Sequence, residues 1–282
     1  MPGFFMLNGK LLPGDQTIVG PDNRGLRFGD GLFETIRHTG ENMPLFPLHM
    51  ERFLYGLERL GFALPVHTSP ARIRDMVAEL LRKNRMEGPA RIRIMAYRAE
   101  GGVHDPVSDQ PNILLQAWPL PEHYSRLNEN GLVLGVYDGA VKAVDGLSAL
   151  KHNNFLPYLM AARHARAMHW NDALVLTPHG QVADSTIANI FWLSGEGLFT
   201  PPLTDGPVAG TFRRHLMANL AKAGRPVQER SVTPELLGHA DEIFLTNAVY
   251  GIRSVGRFRE GNHRRSFTEQ LYRDHVRPLF GH

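Results

Sequence analysis

The chain has 282 residues, of which 43% are hydrophobic and 21% charged, and it contains no cysteine. This composition is typical of a globular protein of one large or two ordinary domains, and the lack of cysteine excludes disulfides, thiol nucleophiles and thiolate metal sites. No apolar run approaches the roughly 20 residues of a transmembrane helix, and the N-terminus lacks a signal-peptide pattern. The sequence therefore predicts a cytoplasmic protein with no membrane partner.

The formal charge of +3 at pH 7 is spread over the chain rather than gathered in one basic stripe. The densest basic run, at 257–265, is interrupted by Glu260 and Gly261 and favours a solvated hairpin over a phosphate-backbone patch. No nucleic-acid partner is predicted. A positive balance also suits an anionic cofactor and a carboxylate substrate.

Hydrophobic periodicity predicts strands mixed with helices in the first third of the chain. A hairpin is predicted to turn at Asn8-Gly9, and Ser69-Pro70 supplies an N-cap and a first-turn proline for a helix through about Lys83. The other predicted elements here are a strand at 32–37, a helix at 48–60 and strands at 91–97 and 112–118.

Pro119-Leu120-Pro121 resists both helix and central strand, and it predicts a domain boundary. We expect an N-terminal α/β domain at 1–118, a linker at 119–124 and a C-terminal domain at 125–282. The second domain is predicted to contain strands at 132–137, 173–177, 190–193 and 242–246, and helices at 155–169, 211–223 and 268–280. This mixed order indicates an α/β fold of the α+β kind rather than one continuous βαβ repeat.

Lys151 and Asp184 are the residues with the clearest chemical implication. Lys151 opens the run Lys-His-Asn-Asn-Phe-Leu-Pro, and Asp184 lies in Val-Ala-Asp-Ser-Thr-Ile-Ala-Asn-Ile-Phe. Pyridoxal 5'-phosphate requires an amine that holds its aldehyde as a Schiff base and an acid opposite its ring nitrogen. These two residues could fill those roles, although most lysines are solvated and most aspartates cap or turn.

Other motifs lie in order around this pair. They are a glycine-rich loop at 24–34, His49-x-x-Arg52 in a predicted helix, a loop-to-helix segment at 207–214 and a strand at 241–248. The glycine-rich loop precedes a strand rather than a helix, which excludes a P-loop or dinucleotide motif. Together the motifs resemble the class IV, or fold-type IV, pyridoxal phosphate enzymes, which include branched-chain and D-amino acid aminotransferases and aminodeoxychorismate lyases.

The resemblance implies a two-domain fold with pyridoxal 5'-phosphate at the domain interface and a homodimer that completes the pocket. It places Arg52 on the cofactor phosphate, although an amphipathic helix edge explains the same pattern. It also brings to the phosphate the amides that follow Gly210, at Thr211 and Phe212, where a plain helix cap is an equal explanation. The end of the strand at 241–248 adds Thr246 and Asn247.

Substrate-side residues also follow from the resemblance. Phe33 and Thr35, on the strand after the glycine-rich loop, are implied to line the substrate pocket. Arg98 is implied to meet a substrate carboxylate by bidentate pairing, with surface exposure as the alternative. No metal site is predicted, because His164 and His169 are five residues apart in a predicted helix and do not share a face.

Two departures from the family pattern bear on the reaction. Asp184 stands where the family usually has glutamate, and Phe155 stands where branched-chain aminotransferases usually have tyrosine. Transamination between an amino acid and a 2-oxo acid through a Lys151 Schiff base is the first expectation. The alternatives are aminodeoxychorismate lyase, which releases pyruvate and p-aminobenzoate, and a cofactor-free basic binding protein, which would be colourless.

Overall fold

The computed structural model describes residues 3–65, 68–195 and 197–281. The chain forms two compact units, one of Met1–Pro121 with Leu150–Asn154 and one of Glu122–Ala149 with Phe155–His282. The first division, between Pro121 and Glu122, lies inside the predicted linker at 119–124. The sequence assigned all of 125–282 to the second domain, whereas the structure groups Leu150–Asn154 with the first unit.

The first unit is an antiparallel sheet covered on one face by helices. Its strands follow the order β2-β1-β5-β4-β3. The elements are β1 (Phe4–Leu7), β2 (Lys10–Pro13), α1 (Arg24–Phe28), β3 (Gly31–His38), α2 (Phe46–Arg59), α3 (Pro70–Lys83), β4 (Ala90–Arg98) and β5 (Pro111–Pro119). The predicted hairpin at Asn8-Gly9 and the helix cap at Ser69, whose side chain accepts from the Arg72 amide, are confirmed.

Side chains of β3, β4 and β5 alternate between the two faces of this sheet. On one face, Ile36, Ile92 and Ile94 are fully buried with residues of α2 and α3 such as Phe53 and Ile73. Burial of each such side chain stabilises the fold by about 1.5–3 kcal/mol. The opposite face carries a different set, which includes Phe33, Thr35 and several arginines.

Leu150–Asn154 belongs to the first unit because its backbone runs along β3. The Phe33 amide donates to the Lys151 carbonyl at 2.9 Å, and the Asn153 amide donates to the Gly31 carbonyl at 2.9 Å. A Cβ atom at Gly29 would lie 2.2 Å from the Asn154 side chain, and Gly29 also has a φ of +67°. The glycine-rich loop is therefore the place where the Lys151 segment packs closely.

The second unit is built on a nine-stranded mixed sheet. Its main path is β11-β10-β9-β12-β13-β6-β7-β8, with β14 paired to β13. The strands are β6 (Leu132–Val141), β7 (Asp172–Leu176), β8 (Val182–Ser185), β9 (Asn189–Ser194), β10 (Gly197–Thr200), β11 (Gln228–Glu229), β12 (Glu242–Asn247), β13 (Gly251–Phe258) and β14 (Gly261–Asn262). The helices are α4 (Leu156–Ala167), α5 (Thr211–Lys222), α6 (Pro234–Leu237), α7 (Ser266–Leu271) and α8 (Arg277–Phe280).

Within this unit β6, α4 and β7 form a parallel βαβ unit, and β8 then returns antiparallel to β7. The predicted hairpin in the basic run is confirmed as the β13–β14 pair. The closing helix, predicted as continuous over 268–280, is instead interrupted by a π-helical turn at Tyr272–Val276. The mixed α/β fold that the sequence predicted is confirmed.

Candidate active site

Lys151 lies beside β3 in the first unit. Its side chain is half-buried, and Nζ is 4.5 Å from the centroid of the Phe33 ring. The backbone bond from Phe33 to the Lys151 carbonyl fixes the main chain at this point. The structure therefore brings together Lys151 and Phe33, two of the residues that the sequence singled out.

Arg52, on α2, forms a forked ion pair with Glu34 of β3. Arg52 Nε donates to Glu34 Oε1 at 2.7 Å, and Nη2 donates to Oε2 at 2.6 Å. His49 Nδ1 lies 2.6 Å from the same Oε2 atom. Glu34 and His49 are each 1% exposed. The His-x-x-Arg motif thus places both of its named residues on one buried carboxylate.

Burial alone would raise the pKa of Glu34, but the charges of Arg52 and His49 and their hydrogen bonds lower it to about 2. Burial lowers the pKa of His49, despite the neighbouring carboxylate. Glu34 is therefore ionised at neutral pH. A His49 ring that carries a proton on Nδ1 donates it to Glu34 Oε2.

Glu34 should stabilise the fold in a defined pH range. Its folded pKa is about 2, against an ordinary value of 4.5, so its contribution is fully present above about pH 4.5 and is lost as the pH falls towards about 2. We expect Glu34→Gln to lower the free energy of unfolding at pH 7 by about 3 kcal/mol, since it leaves a buried partner uncompensated. Denaturant unfolding from pH 3 to pH 6 should show this difference shrinking with acid; a constant difference would contradict the assignment.

Asp184, on β8 in the second unit, is buried and accepts three hydrogen bonds. Its Oδ1 accepts from Asn189 Nδ2 at 2.8 Å, and its Oδ2 accepts from the Val208 amide at 2.7 Å and from the Tyr158 hydroxyl at 3.2 Å. Burial raises the pKa of Asp184 to about 7, although Val208, Lys142, Asn189 and Tyr158 all act to lower it. The Asp184 carboxyl group therefore titrates near neutral pH in the folded chain.

Lys142, on the segment that follows β6, is a basic group that favours the carboxylate form of Asp184. It is buried, and its Nζ donates to the Ser148 carbonyl at 2.8 Å. Burial lowers the pKa of Lys142, whereas Asp184 and Asp145 raise it. Asp184 and Lys142 therefore belong to one buried electrostatic cluster.

Asn189 connects Asp184 to the predicted phosphate residues of the same unit. Its partner in the antiparallel register of β9 and β12 is Thr246, so the two side chains share a face of the sheet. A Cβ atom at Gly210 would lie only 1.8 Å from Asn189 Oδ1. Asp184, Gly210 and Thr246 are thus brought together around Asn189, and position 210 must be glycine for this packing.

The predicted phosphate residues differ in what their side chains do. Thr246 is 1% exposed, and its Oγ1 has no hydrogen-bond partner within the described parts of the chain. Gly210 is the N-cap of α5, and no side chain caps this helix start among the described residues. The Phe212 side chain packs against Phe280, so only its amide could serve an anion.

Asn247 and Arg98 have structural roles that the sequence did not anticipate. Asn247 Oδ1 accepts from the Val249 and Tyr250 amides and stabilises the turn between β12 and β13. Arg98 is 5% exposed, which corrects the alternative of surface exposure. Its guanidinium binds Asp30, Asp109 and the Leu60 carbonyl at 2.6–3.0 Å. These contacts give no support to a substrate role for Arg98.

A different cationic group stands beside Lys151. Thr35 pairs with Arg93 across β3 and β4, and the Arg93 guanidinium carbon lies 4.0 Å from the Phe33 ring centroid. Arg37 pairs with Arg91 in the same register. Burial and the charge of Arg91 lower the pKa of Arg93. Among the described residues of β3, β4 and β5, none on this face is acidic.

Several of these site residues carried no signal in the sequence. Glu34 and Tyr158 contact partners that lie 15 and 26 residues away in the chain. Asn189 contacts Asp184, 5 residues away. Strand alternation could have placed Arg91 and Arg93 on the face of Thr35. In the described ranges, no group of three or more His, Cys, Asp or Glu could hold a metal ion. None of the helices in these ranges has the length and apolarity that a membrane span requires.

Comparisons with known proteins identify the family of this chain. Residues 31–258 match the family model described as amino-transferase class IV. The chain belongs to the class IV aminotransferase family. The resemblance predicted from the ordered motifs is therefore confirmed, and the protein is an enzyme of this family.

Enzymes with two different activities are similar to this chain. An aminodeoxychorismate lyase of Vibrio harveyi is 30% identical over 253 residues, which cover 89% of this chain and 90% of the relative. A branched-chain aminotransferase of the archaeon Thermoproteus uzoniensis, solved with norvaline, is 27% identical, with a TM-score of 0.86 over 99% of this chain and 95% of the other.

A second solved structure bears on the fold alone. A branched-chain aminotransferase from T.th., solved with pyridoxamine 5'-phosphate, has a TM-score of 0.86 at 20% identity, and the match covers 100% of this chain and 95% of that one. The class IV fold thus extends over the whole described chain.

Proposed function

We propose that this class IV enzyme uses pyridoxal 5'-phosphate and acts on a dicarboxylate, with 4-amino-4-deoxychorismate lyase as its reaction. Lys151 would hold the cofactor through Nζ, and Asp184 would accept from its ring nitrogen. Arg52, Thr246 and the amides at Gly210–Phe212 would bind its phosphate. Phe33 and Thr35 would line the substrate side.

The residues fit this cofactor on two observations. Thr246 Oγ1 is buried without a partner in the described chain, and a phosphate oxygen would satisfy it. Asp184 is buried with a pKa of about 7, and a protonated ring nitrogen would give it the donor that favours the carboxylate. Asn247 and Arg98 are engaged elsewhere, so we give them no part in binding.

When bound, the cofactor supplies an aldehyde that takes the substrate amine and a ring that withdraws electrons from the carbon next to that amine. Lys151, whose Nζ would hold the cofactor, would also take the proton from this carbon as a general base. In the lyase reaction the bond from C3 to the enolpyruvyl oxygen breaks as the C4 proton leaves. The ring becomes aromatic, and enolpyruvate becomes pyruvate.

The observation that favours the lyase is the cationic face beside Lys151. Aminodeoxychorismate carries two carboxylates, and guanidinium groups such as Arg93 and Arg91 match carboxylates by charge and by bidentate geometry. A branched-chain amino acid carries one carboxylate and an aliphatic side chain, so it would match less of this charge. Phe155, in place of the tyrosine usual in branched-chain enzymes, and the 30% identity to a lyase support the same choice.

Transamination is the second candidate, because glutamate and 2-oxoglutarate are also dicarboxylates and suit the same face. The test is to incubate the purified holoenzyme with aminodeoxychorismate and, separately, with amino acids plus 2-oxoglutarate. We expect pyruvate and p-aminobenzoate in equal amounts from the first incubation. Exchange of amino groups in the second without product in the first would replace the lyase by a transaminase. A colourless, inactive protein would contradict both the lyase and the transaminase assignments.

We also propose that the enzyme is a homodimer. Leu156, Leu159 and Met160 lie at i, i+3 and i+4 on α4 and are 67%, 55% and 37% exposed, an apolar face that favours association. Leu159→Glu should therefore yield a monomer in light scattering after size exclusion. Leu236→Glu, at an exposed leucine of the short helix α6, is the control that should stay dimeric. A Leu159→Glu dimer would contradict this assignment of the interface.

A further inference from the structure

The Glu34–Arg52 fork has a geometry that a plain ion pair does not require. Glu34 takes the Nε–Nη2 edge of the guanidinium with both of its oxygens, at 2.7 and 2.6 Å. This bidentate pairing fixes the plane of the guanidinium and therefore the direction of its other edge, Nη1–Nη2. A planar guanidinium held by two parallel bonds keeps a fixed orientation.

His49 restrains the carboxylate in turn. Its ring nitrogen lies 2.6 Å from Glu34 Oε2, the same atom that accepts from Arg52 Nη2. Both residues are almost fully buried, so water does not compete for these bonds. Since a buried ion pair is often no better for stability than an apolar packing of the same shape, retention of this pair calls for another benefit, and orientation of Arg52 supplies one.

Strand β3 links this fork to Lys151. Phe33 and Glu34 are adjacent and point to opposite faces of the strand. The Phe33 amide holds the Lys151 carbonyl at 2.9 Å, and the Glu34 carboxylate holds Arg52. The main chain at Lys151 and the guanidinium of Arg52 are therefore both held by consecutive residues of one strand.

We infer that Glu34, restrained by His49, is a positioning residue that presents the guanidinium of Arg52 to the phosphate of the cofactor. This inference rests on the proposed function, in which Lys151 binds the aldehyde end and Arg52 the phosphate end. Glu34 itself touches neither end. Its removal should therefore impair recognition of the phosphate group and spare recognition of the aldehyde.

The test compares two probes that differ only in the phosphate, pyridoxal 5'-phosphate and pyridoxal. Cofactor-free protein is titrated with each, and the ratio of the two dissociation constants measures phosphate recognition. We expect Glu34→Gln to lower this preference roughly 10- to 100-fold, the effect typical of losing a group that orients a ligand-binding residue, with pyridoxal affinity within about threefold of wild type. Glu58→Gln, which removes an exposed carboxylate from the same helix as Arg52, should change neither.

Two variants of His49 keep the test informative if Glu34→Gln does not fold. His49→Asn places an amide donor near the position of Nδ1 and should retain the phosphate preference. His49→Leu removes the donor and should reduce it. Circular dichroism and the melting temperature establish that each variant is folded before titration.

The outcomes separate this inference from the proposed function. If the folded Glu34→Gln protein keeps the wild-type preference, or weakens both probes equally, Glu34 is not a positioning residue for phosphate and the inference is overturned. If wild type binds neither probe, or binds both equally well, the cofactor assignment itself fails and takes the inference with it.

Discussion

A Lys151→Ala variant is expected to lose at least about 10⁴-fold in kcat, because one side chain performs both the covalent attachment and the proton transfer. Proton transfer by a positioned group alone contributes typically 10²–10⁴-fold. The visible absorption band of the lysine-bound cofactor should also disappear when the variant is mixed with pyridoxal 5'-phosphate. Absorbance spectra and single-turnover assays with aminodeoxychorismate measure the two losses separately.

The control for this experiment is the other lysine that is shielded from solvent. Lys10, Lys83 and Lys222 are exposed, whereas Lys142 is 4% exposed. Lys142→Met should keep the visible band, since its amine already donates to the Ser148 carbonyl. Retention of the band in Lys151→Ala, or its loss in Lys142→Met alone, would move the covalent attachment to another residue.

Asp184→Asn is expected to lower kcat by about 10²–10³-fold, a loss comparable to removal of one preorganised electrostatic group from an active site. The amide cannot stabilise a protonated ring nitrogen as a carboxylate does. Asp184→Glu, which restores the acid usual in the family, should retain more activity than the amide variant. Equal activity of wild type and Asp184→Asn would exclude Asp184 as the ring acid.

The same substitution has a second readout in the cofactor-free protein. The folded pKa of Asp184 is about 7, and the ordinary pKa of this side chain is 3.8. Between these values the folded chain keeps a proton that the unfolded chain has released, so stability falls as the pH rises from about 4 to about 7. The loss is on the order of 4 kcal/mol. Denaturant unfolding of wild type should show this fall, and Asp184→Asn should lack it.

The long periodic elements were predictable from the sequence, and the short strands were not. The helix after Ser69-Pro70 begins and ends where its cap and its charged last turn indicate. Strands β8 and β10 were not predicted; β8, for example, is a short run in which every residue is buried. A strand that is buried on both faces lacks the alternation of polar and apolar residues that marks a half-buried strand in the sequence, so it is recognised only from its pairing in the sheet.

Some residues of the candidate site could be predicted from the sequence, and others could not. Lys151, Arg52 and Asp184 were found because each lies in an ordered motif. Glu34 also lies in a motif, at the end of the glycine-rich loop, but it was not singled out, because its role depends on Arg52, 18 residues away on another element. Arg98 was assigned to a substrate carboxylate from the family resemblance, yet its donors meet Asp30 and Asp109. A sequence shows which groups are available, whereas only the fold shows which of them are already engaged.

The interleaving of Leu150–Asn154 with the first unit limits how this protein can be dissected. A fragment of residues 1–121 would omit the segment Leu150–Asn154, which runs along β3. Strand β3 would then be an exposed edge strand, which can pair with strands of other molecules. A fragment that begins at residue 122 would carry the lysine without the strand against which it rests. Chimeras between relatives should therefore exchange residues 1–121 and the segment Leu150–Asn154 together.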